Sequence, residues 1–209
     1  MRICRKNGLY LAGIATAFTL VLAGSAYAQA WIDFTERTEK FFVNFPSQPT
    51  VEAFPYESEY GFTVSAKKFT ATRGAATYSV TVVNYEKSPE GMDVLGAVAH
   101  ASHKIRDTRP GKIVYDAFAQ LDVIDGLQIQ INEPDGHKFW AEIHMHKQDK
   151  RLYLLEARTP PGQPPPALFQ VSLQILDDQG IPIRYMPDGV TRAGRGGGAP
   201  AAAAGGRGN

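Results

Sequence analysis

Histidine placement is where side chains capable of chemistry stand closest together in this chain. Glu142-Ile143-His144-Met145-His146 reads as part of an extended strand. Alternate side chains of a strand share a face, so Glu142, His144 and His146 would point one way, with neighbours about 7 Å apart at the backbone. Two imidazoles and a carboxylate are donors that zinc or copper accepts. Such an ion needs three or four ligand atoms within about 2.0–2.3 Å, and a straight strand spreads this trio too widely. A local bend and a further group would have to close the set: His137 at the preceding turn, or Gln128 or Gln130 across the hairpin. The same trio also suits a solvated sheet face. His100 and His103, three apart on a helical stretch, fall toward its polar side.

Other chemistry is not spelled out. A hydrolytic serine needs a base, an orienting group and usually a sharp turn, and no G-x-S-x-G elbow is present. The single cysteine, Cys4, lies in a segment expected to be removed. The Gly-rich run lies in the tail, with neither a strand before it nor a helix after it, so it is no phosphate-binding loop. Asp177-Asp178 read as a solvated terminus. No catalytic residues are assigned.

The elements that would carry the histidines are legible. Residues 126–158 form a meander of three strands. Leu127, Ile129 and Ile131 alternate with Gln128, Gln130 and Asn132; then Phe139, Ala141, Ile143 and Met145 alternate with Trp140, Glu142, His144 and His146; then Leu152 and Leu154 alternate with Tyr153 and Leu155. Glu133-Pro134-Asp135-Gly136 and Gln148-Asp149-Lys150 are turns, and connections this short imply antiparallel neighbours. Upstream, 41–45 is a strand stopped by Pro46, and 51–56 is an edge strand because of Pro55. Residues 62–72 and 77–86 pair around Arg73-Gly74. Val94, Leu95, Val98, Ser102 and Ile105 form one stripe of a helix over about 92–106, the natural cover for the sheet's apolar face. Residues 113–123 return to strand spacing. After five prolines between 159 and 166, a second helix is expected over about 167–176, apolar nearly all round and therefore buried. Residues 181–186 suit a last edge strand.

The ends are of another kind. Arg2, Arg5 and Lys6, then an apolar run from Leu9 to Ala23, then Ala26-Tyr27-Ala28 have the order of a secretory signal peptide over 1–28. The run is short for a membrane span, and nothing later replaces it. Export to the periplasm or the exterior is expected, with no membrane span after cleavage. Removing three signal cations from the formal +1 leaves −2, a charge unsuited to capturing nucleic acid. Residues 29–186 form one domain, and 187–209, nearly all Gly, Ala and Arg, cannot bury enough apolar area to order.

Phe41 to Pro49, Tyr78 to Tyr85, and Leu168 to Leu176 followed by Gly180 and Arg184-Tyr185 together resemble a group of small exported bacterial proteins with a PsbP-like fold. The resemblance implies an α+β domain, an antiparallel sheet covered by two helices, and a binding role without catalytic residues to carry over. The expectation is an exported, non-catalytic binding or interaction protein whose partner is a protein or small molecule. The alternatives are a metal-binding protein using His144, His146 and Glu142 with zinc or copper, and an enzyme of unfamiliar type.

Overall fold

A computed structural model describes residues 31–88, 93–122, 124–185 and 191–193. Residues 1–28, expected to be a signal peptide, and nearly all of 187–209 lie outside them. Strand propensity and alternation set most of the chain. The strands are β1 (Ile32–Glu36), β2 (Phe41–Phe45), β3 (Thr50–Glu57), β4 (Thr63–Arg73), β5 (Ala76–Asn84), β6 (Lys112–Leu121), β7 (Ile124–Asn132), β8 (Lys138–His146), β9 (Arg151–Thr159), β10 (Gln174–Ile175), β11 (Ile183–Tyr185) and β12 (Thr191–Ala193). Helix α1 spans Val94–Thr108 and α2 only Ala167–Gln170.

Seven strands form one antiparallel sheet in the order β3-β4-β5-β9-β8-β7-β6. The early hairpin and the late meander meet at the β5–β9 pair, where Thr77 faces Arg158 and Asn84 faces Arg151. A second, three-stranded sheet has the order β1-β2-β10, and β11 pairs with β12. Asp93 caps α1 by accepting the Leu95 N–H at 3.1 Å. The helix buries Ala97, Val98, Ala101, Ser102 and Ile105. They pack against Ile129, Ile131, Phe139, Ile143 and Met145, so α1 lies over β7 and β8.

The other face of the large sheet is equally apolar. Phe69, Val80, Val82, Tyr153 and Leu155 pack against Phe41, Val43 and Phe45 of the small sheet. Phe34 adds an aromatic contact to Phe41, Phe45 and Phe69. Residues 32–36 thus form β1, with Ile32 and Phe34 turned toward the core.

Two expectations need correction. The fold is mostly β, and the large sheet is not covered by two helices: α1 covers one face, and a second sheet covers the other. The expected helix over 167–176 stops after one turn. Ser172 ends it by donating its hydroxyl to the Phe169 carbonyl, while the same oxygen accepts the Asn44 N–H at 2.9 Å. Ile175 and Gln174 then pair with Phe41 and Phe42 of β2. Leu173 and Ile175, two apart, reach the core together, as strand residues do. Leu168 is 48% exposed and Val171 80%, so the segment is not apolar all round in use.

Candidate functional site

The histidine face is a buried one. His144 and His146 are each 1% exposed, on the side of β8 that turns toward the small sheet's end. His146 Nδ1 lies 2.9 Å from Asp149, whose other oxygen accepts from Lys40 at 2.7 Å. Burial holds the His146 imidazole below its ordinary range, against the pull of Asp149. Burial would also lower Lys40, but Asp149 and Asp178 outweigh it and hold the ammonium above the ordinary lysine range. Arg151 reaches Glu39 and the Thr38 carbonyl, and the Tyr153 hydroxyl donates to the Glu39 carbonyl at 3.0 Å. Lys67 closes on Glu39 at 2.7 Å. These contacts clamp the β1–β2 turn to the β8–β9 turn; they hold two sheets together.

His144 stands apart from that clamp. Its Nε2 is 3.7 Å from Glu142, and its buried Nδ1 has no hydrogen-bond partner among the described residues. The ring lies across Gly126 on β7, directly opposite in the ladder. A Cβ at Gly126 would fall 2.5 Å from Nδ1 and well inside contact distance of the Ile143 carbonyl. Glycine is used in this strand because a ring and a backbone approach it closely.

His144, His146 and Glu142 do not converge as ligands. Among the described residues, the group whose donor atoms do lie within 4.8 Å of one another is Glu133, Asp135 and His137, in the β7–β8 turn. The turn sequence carried that signal, with donors at every second position. Arginines already occupy these carboxylates: Arg158 contacts Glu133 at 2.6 Å and also Asp135, and Arg109 contacts Glu133 at 3.4 Å. The Glu133 contact raises Arg158 above its ordinary value, and the His137 backbone N–H lowers Asp135 below its own. Arg109 further stacks on Phe139, 3.7 Å from the ring centre. The arrangement anchors the end of α1 to the sheet.

Among the described residues, an exposed apolar surface lies elsewhere, at β6. This strand is one edge of the large sheet and runs for ten residues. Phe118 is 82% exposed, on the α1 side, and Leu95 of α1 is 63% exposed beside it. Between them runs an apolar groove of about 260 Å³, walled by Val94, Leu95, Val98, Phe118 and Leu127. Ile113, Val114 and Tyr115 extend the exposed apolar surface along the strand. A register shift between Ile113 and Tyr115 marks a bulge, and the ladder is regular from Tyr115 to Leu121. Asp116 is neutralised by Arg106 at 2.6 Å. The signal was present in the sequence as apolar residues on both sides of one strand. No protein-family model matches the chain, and no curated protein matches it.

Proposed function

We propose that this chain is an exported, non-catalytic interaction module that takes a partner against the free edge of β6 and the groove beside it. The observation that carries the proposal is Phe118, 82% exposed on a long edge strand next to an apolar groove. An edge strand offers a row of unpaired N–H and C=O groups, and proteins ordinarily blunt such rows or use them for pairing. Exposed apolar patches rimmed by polar groups mark interaction surfaces. Two further points support the reading. The charge clusters at Glu39–Arg151 and Glu133–Arg158 are paired internally, in positions that hold elements together. The residue order of 1–28 is that of an export signal.

The test is a photo-crosslinking residue at position 118, compared with one at Glu52 on the opposite edge strand, in cells. A covalent adduct heavier than the chain is expected at 118 and not at 52. No adduct at 118, or equal adducts at both positions, would overturn the proposal.

A further inference from the structure

The geometry points to a second copy of this chain as the occupant of the β6 edge, paired antiparallel across a two-fold axis so that the two seven-stranded sheets run on as one. This rests on the interaction surface proposed above and names its partner. Three observations lead to it. The first is charge. β6 begins with Lys112, Asp122 follows its last residue, and neither makes an ion pair among the described residues. Antiparallel pairing of the strand with itself in the register centred on Ala117 sets Lys112 of one copy beside Asp122 of the other, twice over. The contrasting edge is β3, which carries Glu52 and Glu57 without a basic residue and has Pro55 inside it. Self-pairing there would oppose acids and lose a donor, so β3 is protected and β6 is not.

The second is shape. Exposed apolar side chains stand on both faces of β6: Phe118 on the α1 side, and Tyr115 with half-buried Ala117 and Ala119 on the other. A partner strand backed by its own sheet brings side chains to both faces at once, and a second copy does so. The third is registration. Pairing that joins Lys112 to Asp122 centres on Ala117, in the regular half of the ladder beyond the bulge. The two Phe118 rings then lie on the same face at diagonal positions, within aromatic reach of one another. The groove between Leu95, Val98 and Leu127 lies alongside them. An interface of this type is isologous, which a two-fold axis requires.

Sedimentation of the full chain tests the pairing. The wild type is expected to be a dimer that dissociates on dilution. Ala117→Lys and Ala117→Glu each place like charges at the two-fold centre, so each alone should be monomeric with an unchanged circular dichroism spectrum. Mixing the two variants should restore a dimer, because opposite charges then meet. A wild type that stays monomeric at the highest attainable concentration overturns the second copy. In that case a crosslink from position 118 to another protein leaves the interaction reading standing, and no crosslink removes both. A dimer that survives in both charge variants, or a mixture that stays monomeric, also overturns this pairing.

Discussion

Gly126→Ala is the substitution for which the structure sets the outcome most tightly. A methyl group there meets the Ile143 carbonyl and comes within 2.5 Å of His144 Nδ1, where side-chain carbons keep at least 3.0 Å. The ring must retreat by at least about 0.5 Å, and β8 cannot yield freely because it is laddered to β7 and β9 on either side. Overpacking of this kind costs about 1–3 kcal/mol. Replacing glycine also stiffens the unfolded chain, which returns only about 0.4–1 kcal/mol. The steric term therefore wins, and for a domain of this size each kcal/mol lowers the melting temperature by about 2–4 °C. Gly74→Ala is the control: it has positive φ but nothing within 4 Å, so its cost is conformational strain alone, on the order of 1 kcal/mol. Combining Gly126→Ala with His144→Ala removes one of the two clashes, so the pair should destabilise by less than the sum of the singles. The assay is thermal unfolding followed by circular dichroism on the full chain. If Gly126→Ala melts at or above the wild type, the close approach of β8 to Gly126 is wrong.

The remaining expectations concern the core, pH and metal. Phe45→Ala removes a wholly buried ring packed against Phe34 and Phe169 and should cost about 3–5 kcal/mol in denaturant unfolding, whereas Leu168→Ala, half exposed, should stay within about 0.5 kcal/mol. His146 is held neutral by burial, with Lys40 and Arg151 adding to the penalty for a proton. Its folded pKa is depressed, so the stability tied to the neutral ring is fully present above about pH 6.5 and is lost as pH falls below that value. Melting temperature should fall more steeply between about pH 7 and 5 in the wild type than in His146→Gln, and equal slopes would show that the ring is not excluded from protonation. Excess zinc or copper should leave the melting temperature unmoved, since Asp149 engages His146 and the nearest Glu142 oxygen stands 3.7 Å from His144. A rise of several degrees that vanishes in His144→Ala would restore those residues as ligands.

The strands and their faces were legible where period-two alternation is local, as in residues 126–158. The helix stripe over 94–105 also pointed to the cover of one face, but what covers the other did not show, because that cover is supplied from far along the chain. β10 is two residues whose apolar neighbours also fit a helix; only pairing with β2 selects the strand. β1 alternates Ile32 and Phe34 with polar residues but is too short for that alternation to stand out. With the second sheet unseen, the polar side of β8 looked solvated, and buried histidines looked like free ligands. The same gap concealed the β6 surface, and geometry explains why. An α-helix is about 10 Å across and strands lie about 4.8 Å apart, so one helix covers about two strands. α1 spends that width on β7 and β8. A second helix on the same face could have closed over β6 as well. Among the described residues α1 alone covers that face, so the edge beyond β7 keeps Phe118 in solvent, while residues 167–176, through Phe169, Leu173 and Ile175, serve the opposite face.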